Sequence, residues 1–293
     1  MTSTSSLRVP GTAPRRRGAR RVRCATVRLA ARLCRRALAV ILSAPLAVQI
    51  LVGAVVILTA CLAVNWVYQA IRKPTELFFP VSGALVKTPT ETWRQYGSLF
   101  SKHSTAVISP ELLAALAQVE GGGNPVARTY WRASLKWNPF EVYRPASSAV
   151  GMFQMTDATF REARRYCIHD HAVVEDGPWH DVKSCWFNSF YSRVLPSHAI
   201  ELAAAQLDRG VTAALGRRRV VATLQQKHNL AAVIHLCGAA AGHAYAARGF
   251  RLTGHQRCGD HDVSRYLGHV NTMKRRFAKL AVDDKLPPSI SAR

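Results

Sequence analysis

The first 75 residues contain no acidic residue, since no Asp or Glu precedes Glu76. They also contain no charge of either sign between Ala37 and Ile71, a run of 35 residues with the strongly apolar centre GAVVILTACLAV. A helix of about 20 apolar residues already spans a bilayer. The absence of charge therefore predicts one transmembrane helix at residues 37–71, with Trp66 and Tyr68 at the membrane–water interface.

Basic residues are concentrated before this run, because residues 1–36 contain eleven Arg and no acidic residue. This asymmetry favours a cytoplasmic arm at residues 1–36 and export of the remainder of the chain. We expect a single-pass protein of a bacterial inner membrane whose main domain lies in the periplasm. A basic arm can also bind nucleic acid. Directly before a membrane span it is more typical of contact with anionic lipid, so we predict the lipid bilayer, and no nucleic acid, as its partner.

Two other interpretations of the apolar run stay open. A cleaved signal peptide is disfavoured by the 36-residue basic arm and by the length of the run. A lipoprotein signal is suggested by the lipobox-like Leu58-Thr59-Ala60-Cys61, which would attach lipid to Cys61. The apolar residues continue past Cys61 through Val67, which favours the uncleaved anchor.

The cysteines lack the C-x-x-C spacing that is common in zinc sites. The exported part instead contains an even number of them, four, and an oxidising compartment lets such cysteines pair. Of the three possible connectivities we prefer the one that joins sequence neighbours, Cys167 with Cys185 and Cys237 with Cys258. The alternative is four buried thiols. We predict no metal site and no cofactor.

Sustained strand alternation and internal repeats are also absent from the sequence. We therefore predict a mainly α-helical domain at residues 108–282, preceded by a membrane-proximal linker at 72–107 and followed by a loose tail at 283–293. The helical patterns fall at Thr90–Lys102, Thr156–Cys167, Ser197–Leu215, Leu230–Ala247 and Asp262–Leu280.

One further helix, in the stretch LLAALAQVEGGGNP, ends on a carboxylate. Ser109 is a good N-cap, Pro110 suits the first helical position, and the glycines after Glu120 accept the conformation that ends a helix. Glu120 lies on the same arc as the apolar residues Leu113 and Leu116. This position predicts a desolvated carboxyl group that stays protonated and acts as a general acid. The alternative is a partly exposed Glu at a helix end.

A second motif follows Glu120 in the stretch SSAVGMFQMTDAT, where Gly151 and Gln154 precede a helix start. VEGGGNP followed by GMFQMTDAT resembles the lytic transglycosylases of the soluble-lytic, goose-lysozyme-like superfamily. Their pattern is E-S-x-x-N-P and then G-L-M-Q-x-x-P-x-T. Glu120, Asn124 and Gln154 are among the matching residues. The late stretch RYLGHV resembles the family's Tyr-Val-x-x-Val helix and makes Tyr266 the counterpart of its active-site tyrosine.

The resemblance implies a lysozyme-like α fold and a peptidoglycan lyase. Such an enzyme cleaves the β-1,4 bond between N-acetylmuramic acid and N-acetylglucosamine and leaves a 1,6-anhydro end. Glu120 would be the single general acid and base, and Gly151, Gln154 and Tyr266 would position the glycan strand. Ser148, or Ser147 beside it, would hydrogen-bond the catalytic carboxyl group or the substrate. An envelope-spanning secretion or assembly complex is a further candidate partner.

The chain departs from the family pattern in three places. Gly121 replaces the usual Ser, and His235-Leu236 stand where the family has Tyr-Asn. The aromatic insert at residues 127–146 separates the two motifs, and its rings suit either sugar stacking or core packing.

Two segments leave alternatives open. A stretch from His169 to Asp181 is rich in His and Asp, and we interpret it as a solvated loop in preference to a metal site. A water-activating second carboxylate, Glu141 or Asp157, would indicate a goose-lysozyme-like hydrolase. A Glu120 covered by the insert would indicate a non-catalytic wall-binding or assembly protein.

Overall fold

The computed structural model describes residues 32, 35–36, 39–133, 139–178, 180–181, 184–216 and 221–284. Most of the basic arm at 1–36, the insert residues 134–138 and the tail from residue 285 lie outside these ranges. The chain forms two compact units, Met1–Val64 and Asn65–Arg293.

The described chain is mainly helical, with short strands that pair only as antiparallel hairpins. The helices are α1 (Leu46–Arg72), α2 (Phe79–Ser82), α3 (Pro89–Lys102), α4 (Pro110–Gly121), α5 (Asp157–Ala163), α6 (Pro196–Gly216), α7 (Leu224–Cys237), α8 (Ala239–Ala247) and α9 (Val263–Asp283). The hairpins are β1 (Trp131–Ala133) with β2 (Tyr143–Pro145), β3 (Tyr166–His169) with β4 (Ala172–Glu175), and β5 (Arg257–Cys258) with β6 (His261–Asp262). Single 3-10 turns lie at Pro74–Phe78, Gly83–Leu85, Pro139–Glu141 and Trp186–Phe190.

The helix α1 corresponds to the predicted transmembrane helix. Within the described ranges it is the one helix long and apolar enough to cross a membrane, and none of its most apolar window is buried. It begins at Leu46, after Pro45, and not at residue 37, because proline is tolerated at a helix start but not in its interior. Its length and composition fit a membrane span or a signal sequence.

The central helix of the second unit is α4. Ser109 caps it by accepting a hydrogen bond from the Leu112 backbone, and Gly122 ends it with a φ of 58°, so both predicted ends are confirmed. The largest helix interface joins α4 to α9, and α4 also packs against α3. All six residues from Leu112 to Ala117 are buried. The helix α4 is therefore enclosed on all sides and not along one arc.

The predicted linker at residues 72–107 is largely part of the folded unit. Thr88 and Glu91 form a capping box that starts α3. Trp93, Tyr96 and Phe100 on α3 are buried in the same core cluster as α4. The domain therefore begins before residue 108, because the apolar face of α3 supplies core residues that a linker does not.

Two predicted helices end earlier than their patterns suggested. The helix predicted at Thr156–Cys167 ends at Ala163. The stretch expected to be a solvated loop, His169 to Asp181, contributes its first part through Glu175 to the β3–β4 hairpin, and its described residues after Glu175 are exposed and outside any strand. Asp170 and His171 make the turn of this hairpin with φ of 48° and 61°, the left-handed conformation that two-residue hairpin turns require. The helix predicted at Leu230–Ala247 breaks at Gly238, where φ is 82° and ψ is 171°, and this break separates α7 from α8.

Both predicted disulfide bonds are confirmed. Cys167 pairs with Cys185, and Cys237 pairs with Cys258. The first joins β3 to the 3-10 turn at Trp186–Phe190. The second joins the C-terminal end of α7 to β5, which lies just before α9.

Candidate active site

The two sequence motifs meet at the C-terminal end of α4. A Cβ atom added to Gly121 would lie 2.8 Å from the Cα of Met152 and 2.9 Å from its carbonyl oxygen. Real Cβ atoms do not approach backbone so closely, so the loop after Gly151 occupies the space that a side chain at position 121 would need. This contact explains why position 121 is a glycine.

The carboxyl group of Glu120 is bound by Tyr266 of α9. The Tyr266 hydroxyl donates a hydrogen bond of 2.6 Å to Glu120 Oε1. Burial, the nearby charge of Glu120 and this hydrogen bond raise the pKa of Tyr266 well above its usual value of 10. The hydroxyl therefore remains protonated and keeps donating to Glu120. The side chain of Glu120 is 18% exposed, so solvent reaches a carboxyl group that the protein otherwise encloses.

The imidazole of His235 is the second polar neighbour of Glu120. Its Nε2 atom lies 3.6 Å from Glu120 Oε1, and its side chain is 12% exposed. His235 comes from the last turn of α7, two residues before Cys237. The Cys237–Cys258 bond thus connects the segment that carries His235 to the segment that leads into α9 and Tyr266. Sequence reasoning left the role of His235 undecided, and the structure places it beside Glu120.

A cavity of about 420 Å³ lies on the far side of His235, which lines it, whereas Glu120 and Tyr266 do not. Its wall also includes Gln154, Glu162 and Arg209, which come from the second motif, α5 and α6. The size is in the range that holds a small ligand. One of the two polar neighbours of Glu120, His235, thus faces a space that can hold a small ligand.

The loop of the second motif is held by its own backbone contacts. Gly151 has a φ of 82°, and a Cβ atom there would lie 2.3 Å from the Arg193 carbonyl oxygen, so only glycine fits. The side-chain amide of Gln154 donates to the carbonyl oxygens of Ala127 and Gly151. Gln154 therefore fixes the loop, and it also lines the cavity.

Ser148, nine residues before α5, binds protein groups. Its hydroxyl accepts from the Asp157 backbone N–H at 3.2 Å, and its carbonyl oxygen accepts from Arg193 at 3.1 Å. The hydroxyl that contacts Glu120 is that of Tyr266, and not that of Ser148 as the sequence suggested. Arg193 also donates to the Met155 carbonyl oxygen and pairs with Asp157 at 2.7 Å. No motif in the sequence marks Arg193, because its partners are mostly backbone atoms of a distant loop.

The aromatic residues of the insert that the structure describes make packing contacts within the protein. Trp131 donates from its indole to the buried Glu76 at 2.7 Å, and its ring contacts Tyr143. The ring of Phe140 contacts Tyr68 of α1, with centroids 5.2 Å apart. Phe140 and Tyr143 nevertheless stay 42% and 44% exposed and Tyr130 68% exposed, so the described rings contact neighbours at the surface and are not part of the core cluster.

The histidine-rich stretch forms hairpin structure, with His169 on β3 and His171 in the turn. Within the described ranges, no three His, Cys, Asp or Glu side chains converge as a metal site requires. Comparisons with known proteins add no relative, because no family model, curated protein or solved structure matches this chain. The chemistry of the site therefore has to be argued from its own groups.

Proposed function

We propose that this protein is a membrane-anchored lytic transglycosylase that cleaves peptidoglycan, with Glu120 as its general acid and base. The observation that carries the proposal is the meeting of the two motifs at Gly121 and Met152, with Tyr266 bound to Glu120. Three segments that resemble the family separately in sequence thus meet at the C-terminal end of α4, where Tyr266 binds the Glu120 carboxyl group and the second motif packs on Gly121. The partial exposure of Glu120, and the cavity lined by its neighbour His235, support an active site over a structural one.

The reaction needs one carboxyl group in two protonation states. Protonated Glu120 donates its proton to the oxygen that links C1 of N-acetylmuramic acid to the next sugar, and the C1–O bond breaks. The substrate's own acetamido oxygen stabilises the positive charge at C1. The Glu120 carboxylate then accepts the proton of the C6 hydroxyl while O6 bonds to C1. The 1,6-anhydro product forms without water, and Glu120 is protonated again.

Tyr266 and His235 suit a carboxyl group that cycles in this way. The Tyr266 hydroxyl orients Glu120 and stabilises its carboxylate form through a charge-assisted hydrogen bond. His235 lies within reach of the same oxygen and faces the cavity. The imidazole can therefore contact both Glu120 and a sugar in the cavity.

A hydrolase is the second candidate, and Glu162 is the observation that favours it. Glu162 lines the same cavity as His235 and offers a carboxylate that can activate water. The two carboxylates considered from the sequence are paired elsewhere. Asp157 binds Arg193, and Glu141 binds Arg72 and Arg144.

The anchoring part of the proposal rests on α1. Asn65 and Gln69 near its end donate hydrogen bonds to the carbonyl oxygens of Tyr143 and Phe140, and both amides are buried. The folded unit thus includes the chain from Asn65 onward. This favours a mature protein that keeps the end of α1, attached either by the whole helix or by lipid on Cys61.

Digestion of purified peptidoglycan in ¹⁸O-labelled water tests the proposed reaction. The full-length protein should release muropeptides that end in 1,6-anhydro sugars and carry no ¹⁸O. Products with reducing ends and one ¹⁸O atom would establish the hydrolase instead. In that case Glu162→Gln should abolish the activity, whereas the lyase should tolerate this change.

A further inference from the structure

The last two turns of α1 are joined to the β1–β2 hairpin. Asn65 donates to the Tyr143 carbonyl oxygen at 2.6 Å, and Gln69 donates to the Phe140 carbonyl oxygen at 2.9 Å. The ring contact between Tyr68 and Phe140 lies between these two hydrogen bonds. Arg72 extends the interface by pairing with Glu141 at 3.5 Å. Four contacts thus hold residues 140–143 against residues 65–72.

The length of α1 before these contacts matches a bilayer. The stretch from Leu46 to Val64 contains 19 residues and no charge. At 1.5 Å per residue it is about 28 Å long, close to the roughly 30 Å of a hydrocarbon core. Asn65 is the first residue with a polar amide after this stretch. If Leu46–Val64 crosses the membrane, residues 65–69 follow directly at the level of the lipid headgroups.

Residues 140–143 carry exposed aromatic and apolar side chains beside this end of α1. Phe140, Val142 and Tyr143 are 42–44% exposed, and Trp66 on α1 is 40% exposed. We refer to these four residues as the juxtamembrane patch. Aromatic side chains of this kind are enriched where a membrane protein meets the headgroup region. Arg72, which is mostly exposed, adds a cation that suits lipid phosphate.

We propose that the juxtamembrane patch lies in the headgroup region of the bilayer that α1 spans, so that the folded unit rests on the membrane surface. This inference rests on the membrane anchor of the proposed function but not on the proposed reaction. It commits to lipid as the occupant, because the backbone of the patch is bonded to the residues that follow the span directly. Lys73 donates to the carbonyl oxygens of Ser147 and Ala149, just before the second motif. Lipid contact at the patch would therefore also orient the candidate site relative to the membrane.

Nitroxide labels on the full chain in phosphatidylethanolamine–phosphatidylglycerol vesicles test this inference. Cys24, Cys34 and Cys61 are first replaced by Ser, and the disulfide cysteines stay bonded. Three single-cysteine variants are then compared by their collision rates with oxygen and with a water-soluble nickel complex. Val142→Cys reports on the patch and Leu58→Cys on the span. Phe190→Cys is the control, because Phe190 is an aromatic residue 70% exposed in another part of the folded unit.

We expect the label at position 142 to collide with the nickel complex several-fold less often than the label at 190, and more often than the label at 58. Equal nickel access at 142 and 190, with position 58 in lipid, would overturn lipid docking and leave the anchor intact. Protection of position 142 from both reagents would show a protein partner or a second copy on the patch and would also overturn it. Nickel access at position 58 would overturn the anchor itself. None of these measurements depends on enzymatic activity.

Discussion

Replacing Tyr266 with Phe removes the hydroxyl that binds Glu120 and keeps the buried ring. The bond is 2.6 Å long, and the raised pKa of Tyr266 keeps the hydroxyl protonated at any pH at which the protein is folded and active. Hydrogen bonds to charged groups contribute about 1.5–3 kcal/mol. The bond already exists in the free protein, so only its strengthening as Glu120 becomes a carboxylate, about 1–1.5 kcal/mol, affects the rate, and Tyr266→Phe should slow cleavage by roughly 5- to 10-fold.

The matched control is Tyr245→Phe. Tyr245 is also a buried tyrosine, on α8, and the partner of its hydroxyl is Asn229 and not Glu120. Both variants should lose a similar amount of stability, about 0.5–1.5 kcal/mol in denaturant unfolding. Only Tyr266→Phe should lower the initial rate of anhydro-muropeptide release, by the factor given above. A Tyr266→Phe enzyme with the parent rate, or an equal loss of rate in Tyr245→Phe, would refute the assigned role.

Three further predictions concern the framework of the site. Gly121→Ala should destabilise the protein by about 1–3 kcal/mol and lower its activity, because the added Cβ would meet the backbone of the loop after Gly151. Gly268→Ala, where the added Cβ has open space, is the control and should do neither. Thermal unfolding compares the two variants. Replacing Cys237 and Cys258 by Ser opens a loop of 21 residues and should lower the free energy of unfolding by about 3 kcal/mol. The protein that remains folded should also have a lower turnover rate. Replacing Cys167 and Cys185 by Ser should mainly lower stability. Burial lowers the pKa of His228 from 6.5 to about 4. The unfolded chain therefore binds this proton first, and about 3 kcal/mol of unfolding free energy should disappear between pH 6.5 and 4, a loss that His228→Gln should remove in urea titrations.

The ends of α4 could be predicted from the sequence pattern, whereas Tyr266 was expected in the site only through the family resemblance, and its bond to Glu120 was not predicted. Ser109 and Gly122 act locally, so their residue types were sufficient. The helical arc was insufficient because small residues such as Ala114 and Ala117 bury α4 on every side. The hydroxyl that binds Glu120 comes from a residue 146 positions later, and periodicity carries no information about such a contact.

The β3–β4 hairpin shows the same limit for local structure. Its strands are only four residues long, too short for clear alternation between apolar and polar residues. Val173 and Val174 favour a strand, and Asp170 suits a left-handed turn residue. These signals were present but weaker than the histidine pattern around them. The disulfide pairing was predictable because both loops are short.

Glu120→Gln is the measurement that tests the central claim most directly. The amide matches the protonated acid in shape and can still accept the Tyr266 hydrogen bond, so the variant should fold with an unchanged melting temperature. It cannot donate the proton, and general acid–base catalysis is typically worth about 10²–10⁴ in rate. Glu111→Gln, in the first turn of the same helix, is the control and should release anhydro-muropeptides at the parent rate. A folded Glu120→Gln protein that still releases them at the parent rate would contradict the assignment of Glu120 as the catalytic acid.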